Sequence, residues 1–412
     1  MSVISLPDIR HDRGGAKPSA DCETSLETGT GRIQLTIYYD FKAIESQWRE
    51  FKLAAICVPD QSFERAEAWS RLVSQPSGTL PAIVCGRSET GDIQFIWPFE
   101  VTRMRGMGCL QWIGQDHANY NMGLYALPFA RNATPNDIKT LLSETARLIG
   151  DVSVVKFEKQ PFQWDGVANP MALLPHAQSA NMGHAILLDT DFDTLYRNRF
   201  SGKSRNTLRR KKRRLRKHGE LEMGWAGTPE ERRALLNQFF MQKKRQFAAL
   251  GIPDAFSDPR IRAFYHEMAA LPSGADGTLE AGYLKLDGKV IAISCCVFFK
   301  DRLSMLLTSI EAGAFSKYSP GSLLLRQQIE SACCKGLNFF DMGAGDGRHK
   351  SEWCDIDTPL FENLIALDER GYLVTLPLAA ETALKRYIKT RPRLWSLAQT
   401  IRRSVFGKRQ AN

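Results

Sequence analysis

Apolar and polar residues alternate along this chain with two different periods, and the switches between them mark out its elements. Ile33, Leu35 and Ile37 alternate and predict a strand, whereas Ile44, Trp48 and Phe51 recur at helical spacing. A second helix is predicted over 62–73. Segments 80–85 and 93–101 read as strands paired across the turn Ser88-Glu-Thr-Gly91, followed by a strand at 109–113. A helix over 136–149 and a strand over 152–157 come next. Pro161, Pro170 and Pro175 then interrupt the pattern and place a domain boundary. Beyond it the order begins again. A strand at 185–188 is followed by helices at 192–200, 204–217, 229–250 and 258–270. Strands at 279–286 and 290–299 are joined by Asp287-Gly288. A strand at 303–310, a loop, a helix from Ser322 to about 335 and a strand at 338–342 follow. Strands at 361–367 and 372–375 are expected to close the sheet.

Strands and helices alternate in both halves, so the class is α/β. Both halves share one order of elements, which predicts two copies of one domain type, each a mixed central sheet flanked by helices. The expected organisation is a disordered tail over 1–31, rich in Gly, Ser, Thr, Asp and Glu, domains over 32–178 and 179–378, and a basic helical tail over 379–412.

A hydrophobic content of 43% is that of a globular protein. The net charge of +10 is concentrated. Twelve Lys and Arg lie between Arg197 and Lys217 and nine between Lys385 and Arg409, with no acidic residue in either segment. The remainder is net acidic, so the charge describes two local patches. The first has only Leu208 and Leu215 as apolar positions from Arg205 onward. It reads either as a polyanion-binding face, nucleic acid included, or as a solvated helix beside a phosphate site. The second mixes Trp395, Leu397, Ile401 and Phe406 with its cations, as a membrane-surface segment does, or packs as a basic tail. The nine cysteines show no Cys-x-x-Cys spacing and read as reduced core residues, with no metal site expected. The N-terminus lacks signal-peptide patterning and no apolar run reaches a membrane span. The expected location is cytoplasmic, peripheral to the inner face of a membrane if the tail binds there.

The chemistry concentrates around Tyr318-Ser-Pro-Gly-Ser-Leu-Leu-Leu325. Strand, Gly-containing loop, helix and strand is an order that presents backbone N–H groups to a phosphate. Pro320 has no N–H to lose at a helix start, and Gly321 allows close approach to the backbone.

The chain resembles the tandem-GNAT acyltransferases of cellulose and exopolysaccharide biosynthesis (CelD-like), relatives of the FemAB transferases. The residues that carry the likeness are Gln47-Trp48-Arg49, Ile96-Trp-Pro-Phe99, Trp112-Ile-Gly114 with His117-Ala-Asn-Tyr120, and Ser204-Arg-Asn-Thr-Leu-Arg-Arg210. Ser319-Pro-Gly-Ser-Leu-Leu324 and Asp341-Met-Gly with Lys350 and Trp353 complete it. The resemblance implies acyl transfer, acetyl first among the candidates, from acetyl-coenzyme A or another acyl-coenzyme A to an amine or hydroxyl on a small molecule or saccharide. The coenzyme would lie along the strand end Thr308, Ser309 and Ile310 and the loop Ser319, Pro320, Gly321, Ser322 and Leu323. A backbone N–H there would stabilise the developing oxyanion by ~3 kcal/mol. Asp341, Asp346 or His349 is the expected general base, Asp341 ahead of His349 because a strand end is the better-fixed position, and Asp341 reads equally as a turn cap. Lys350 reads as a charge partner or substrate contact, and His117 as a proton-transfer aid or a turn residue. Asp346-Gly-Arg-His349 departs from the family pattern, which has an acidic stretch and a tyrosine before the lysine.

Three rivals remain. Asp341-Met-Gly-Ala-Gly-Asp-Gly347 looks like the first motif of an S-adenosylmethionine methyltransferase, but too little chain follows for such a sheet. Aminoacyl transfer from tRNA would use the first basic segment. A non-catalytic scaffold in polysaccharide biosynthesis would have lost the coenzyme. The C-terminal segment predicts salt-sensitive binding to anionic vesicles, absent on neutral ones and lost on deletion after Glu381. Co-sedimentation tests this, and equal pelleting of the truncated and full chains contradicts it.

Overall fold

The computed structural model of the protein describes residues 22–389, positions 190 and 346 excepted, and residue 391. Most of the expected N-terminal tail, the C-terminal membrane segment beyond 391 and Asp346 therefore lie outside the described residues. Within them, the contacts divide the chain into two compact units. The first contains the residues through Ser179 together with Pro359–Leu384; the second is Ala180–Thr358 with the residues from Lys385.

The first unit begins with β1 (Cys22–Thr28) and β2 (Gly31–Tyr38), then α1 (Glu45–Ala54) and α2 (Phe63–Trp69). Next come β3 (Leu80–Ser88), β4 (Ile93–Met104), β5 (Met107–Trp112) and the short β6 (Leu124–Tyr125). Helices α3 (Leu127–Asn132) and α4 (Pro135–Ile149) lead to β7 (Val152–Pro161) and the hairpin β8 (Gln163–Trp164) and β9 (Val167–Ala168). The second unit contains β10 (Ala177–Leu187), α5 (Phe192–Arg199), α6 (Gly202–Leu215), β11 (Leu221–Trp225), α7 (Pro229–Leu250) and α8 (Pro259–Ala270). Then follow β12 (Glu280–Leu286), β13 (Lys289–Phe299), β14 (Arg302–Ile310), α9 (Pro320–Cys334), β15 (Phe339–Ala344) and α10 (Arg348–Trp353). The chain then returns to the first unit through β16 (Ile356–Ala366) and α11 (Glu369–Lys389).

Strand order in the first unit is β1-β2-β3-β4-β5-β7-β16, with β5 and β7 parallel. In the second it is β10-β15-β14-β13-β12-β11, with β14 and β15 parallel and the other neighbours antiparallel. Both arrangements are mixed, as the alternation of strands and helices predicts. Helix starts follow their caps. Thr134 with Asp137 and Thr228 with Glu231 form capping boxes ahead of a proline at the first helical position of α4 and α7.

Three expectations change. Residues 22–28 form a strand, paired along its whole length with β2. Residues 359–378, expected in the second domain, fold into the first unit. A buried amide chain ties them there: Trp112 Nε1 donates to Gln160 Oε1 (3.2 Å), Gln160 Nε2 to Asn363 Oδ1 (2.7 Å) and Asn363 Nδ2 to Pro175 O (3.0 Å). Residues 372–375 are helical, not a strand. Their apolar run suits either state, and Val374 settles it by packing on Cys109 and Val154, with Leu378, one helical turn on, beside them. None of the eight cysteines with described side chains is in a disulfide. No described helix is long and apolar enough to cross a membrane.

The second unit is braced by a buried ion pair. Arg232, 1% exposed, meets Glu280 at 3.2 Å and donates to Leu271 O at 2.8 Å. Arg232→Ala strands the carboxylate, so the variant should lose ~3–5 kcal/mol in urea denaturation. A loss under about 1 kcal/mol would mean that the pair contributes no more than a surface bridge.

Candidate active site in the second unit

Strands β14 and β15 run side by side only briefly. Their register is Arg302↔Phe339, Leu303↔Phe340 and Ser304↔Asp341, and there it stops. β14 continues to Ile310 on the edge of β13, and β15 continues to Ala344 on the edge of β10. The parting has a local cause. Opposite β10, the register jumps from Ala185↔Asp341 to Gly183↔Ala344, so Met342 and Gly343 face the single residue His184. This is a β-bulge, and Gly343 takes the left-handed φ of 71° that the kink requires.

Polar side chains hold the bend. Asp341, 1% exposed, accepts from the Gly343 amide (2.7 Å) and meets Arg302 at 3.5 Å. The Arg302 guanidinium also lies over the Phe339 ring, 4.3 Å from its centroid. Lys350, itself buried, donates to Gly343 O and Ala344 O, both at 2.9 Å. Asp341 thus has the turn-capping contact, and Lys350 clamps carbonyl oxygens.

A cavity of about 210 Å³ lies along the part of β14 beyond its pairing with β15. β13 contributes Ile293 and Ser294; β14 contributes Met305, Thr308, Ser309 and Ile310. α9 contributes Gly321, Ser322, Leu324 and Leu325. α7 adds Lys243 and Gln246, and α10 adds His349. Of the residues expected at the coenzyme, five line this cavity: Thr308, Ser309, Ile310, Gly321 and Ser322. Leu323 instead packs with Leu215 and Leu284 in the core, and Pro320 is buried outside the lining. The end of β14 is fixed from α7: Ser309 Oγ donates to Gln242 Oε1 (2.7 Å) and Gln246 Nε2 to Ile310 O (2.7 Å).

The start of α9 is unusual in one respect. Ser319 is its N-cap, yet it has left-handed φ and ψ of 55° and its hydroxyl makes no capping bond. That hydroxyl accepts instead from Lys211 Nζ of α6 at 2.7 Å. A helix start with an uncapped first turn and a cation beside it attracts an anion. The donor set therefore fits the phosphates of an acyl-coenzyme A. Gly321 has a different explanation from the expected one. A Cβ there would meet Ile310 Cδ1 at 2.6 Å, so the glycine gives room to the Ile310 side chain as it lies now.

The His349 side chain is exposed. Partial desolvation lowers its pKa from the ordinary 6.5, the Lys350 charge adds to this, the Glu352 carboxylate opposes it and His184 adds a little more. The neutral imidazole is the form that accepts a proton. His184 is held through Nδ1 by Asp357 at 2.7 Å. The sequence reading missed His184, Asp357, Lys243 and Gln246, because each owes its place to tertiary pairing. His117 belongs to the first unit. Its ring lies 5.0 Å from that of Trp69 and its carbonyl accepts from Arg65. Burial, then the Arg65 charge, pushes its pKa down to about 4. No cluster of three or more metal-ligating side chains is present among the described residues.

Residues 202–351 match the model of the acetyltransferase (GNAT) domain family. The second unit carries a GNAT-type domain. No curated protein matches the sequence. Among solved structures the chain is similar in fold to FemX, with a TM-score of 0.56 at 11% identity over 80% of this chain and 97% of that one. It also matches a tandem GNAT protein from the clavulanic acid biosynthesis pathway, with a TM-score of 0.47 at 11% identity over 82% and 99% of the two chains. The match to L-PGS from Bacillus licheniformis has a TM-score of 0.45 at 14% identity over 78% and 96%.

The contacts separate structure from chemistry by residue. Asp341→Ala leaves Arg302 buried without its carboxylate and should cost about 3 kcal/mol or more in urea denaturation. His349→Ala, which breaks no hydrogen bond among the described residues, should stay within about 0.5 kcal/mol of the parent. Unchanged stability in the Asp341 variant would contradict the capping role.

Proposed function

We propose that the chain is an acyltransferase that moves an acyl group from acyl-coenzyme A directly to an amine or hydroxyl acceptor. One observation carries the reading: β14 and β15 part beside a helix start whose capping hydroxyl is turned away. In this reading the first-turn amides of α9 and the Lys211 ammonium hold the coenzyme phosphates. Bound acyl-coenzyme A supplies the thioester carbonyl that the acceptor attacks. The free edge of β14 beyond Ser304 offers backbone N–H groups to the charge that develops on that carbonyl oxygen. His349, neutral and on the cavity wall, takes the proton from the attacking amine or hydroxyl. Asp341 and Lys350 keep the bend in place. The resemblance to the CelD-like proteins supports a saccharide or lipid-linked acceptor and a role in cell-envelope or exopolysaccharide biosynthesis.

A second reading, aminoacyl transfer from tRNA, is favoured by one feature. Arg209, Arg210, Arg213 and Arg214 on α6 have no acidic partner among the described residues, as a phosphate-binding face requires. Competition by tRNA for acetyl-coenzyme A binding separates the two readings.

Calorimetry on the full chain tests the first. Acetyl-coenzyme A should bind, and Gly321→Glu should weaken binding at least about tenfold, which is 1.4 kcal/mol, by placing a carboxylate at the α9 start. The half-exposed end of Ile310 can yield to the new side chain, so the fold should survive. Because the His349 pKa is lowered, turnover should hold as pH falls through 6.5 and decline only below it. Equal affinity in parent and variant would rule out the site.

A further inference from the structure

One wall of the cavity carries a cation with nothing to neutralise it. Lys243 lies on α7, opposite the α9 start, with Phe239 and Phe247 one helical turn before and after it. Its ammonium sits 5.9 Å and 5.6 Å from the centroids of those rings. No carboxylate and no hydrogen-bond acceptor meets it among the described residues. Elsewhere in the second unit three arginines that are buried or half-buried are matched by carboxylates: Arg232 by Glu280, Arg302 by Asp341 and Arg199 by Asp355. Burial lowers the Lys243 pKa, and no neighbouring charge offsets that cost. Two ring faces recover part of it, but they supply no hydrogen-bond acceptor for its three N–H groups. A cation held at this cost in a cavity marks a place where a ligand brings the missing charge.

The two walls divide the work. In the acyltransferase reading, Lys211 and the α9 amides hold the coenzyme phosphates at the helix start, and Ser322 and Leu325 of the same helix line the cavity. Lys243 comes from α7, and Gln246 beside it is committed to Ile310 O. A second anion site on the other wall serves a second ligand.

We propose that the acceptor carries a carboxylate or phosphate group and that Lys243 binds it, selecting anionic acceptors over neutral ones. The proposal rests on the acyltransferase reading. The Lys243 ammonium donates to the anion, while the acceptor's amine or hydroxyl is left to face the thioester. A charge-assisted hydrogen bond of this kind is worth about tenfold or more in kcat/KM.

The test uses two pairs of acceptors that differ only in the anion: glucosamine with glucosamine 6-phosphate, and glycinamide with glycine. Thiol release from acetyl-coenzyme A is followed with the full chain. At least one anionic member should be preferred about tenfold or more, and the pair that shows the preference identifies phosphate or carboxylate. Lys243→Met should erase the preference, and Lys243→Arg should keep most of it. Calorimetry should find acetyl-coenzyme A bound equally by the parent and both variants. A preference that survives Lys243→Met overturns the proposal, as does equal use of both members of each pair. Turnover of no probe while acetyl-coenzyme A binds also overturns it and leaves the acyltransferase reading standing. Failure of the parent to bind acetyl-coenzyme A removes that reading itself.

Discussion

The parting of β14 from β15 is the constraint on which the rest of the second unit depends. Parallel neighbours would normally continue side by side and satisfy each other's backbone groups. Here the pairing ends at Ser304↔Asp341 because β15 carries an extra residue opposite His184. The bulge requires a positive φ, which Gly343 supplies, and it leaves buried carbonyl oxygens, which Lys350 satisfies. Arg302 and Asp341 close the base of the opening. Asp341, Gly343 and Lys350, which resemble parts of a catalytic motif, are thereby tied to making a gap. The cavity, the free edge of β14 and the approach to α9 all follow from that gap.

The gap is also electrically asymmetric. On the α9 side, an uncapped helix start and Lys211 favour phosphate. On the α7 side, Lys243 stands beside two aromatic rings with no carboxylate partner among the described residues. On the α10 side, burial and the Lys350 charge keep the His349 imidazole neutral. In the proposed reading these features serve a two-substrate transfer in which the coenzyme and the acceptor enter separately. A simple binding module would need only one of these walls.

Much of this was legible in the sequence. The helical periods over 192–200 and 229–250 and the turn Asp287-Gly288 place α5, α7 and the β12–β13 hairpin almost to the residue. Tyr318-Ser-Pro-Gly-Ser announces the α9 start through local chemistry, since proline and glycine act on their own backbone. What the sequence hides is pairing between distant residues. Asp341 reads equally as a base or a turn cap until Arg302 and the bulge appear beside it. Lys243 is one of many lysines until its lack of a partner is visible. Gly321 invites a phosphate, but its contact is Ile310. Residues 372–375 suit strand or helix, and Val374 packing on Cys109 decides between them.

Amide hydrogen exchange with and without acetyl-coenzyme A tests the central claim most directly, because it reads the backbone groups to which the coenzyme is assigned. The account predicts new protection at 305–310 on β14 and at 321–325 in the first turns of α9, with little change on β11 and β12. Protection confined to other segments, or none at saturating coenzyme, would contradict it.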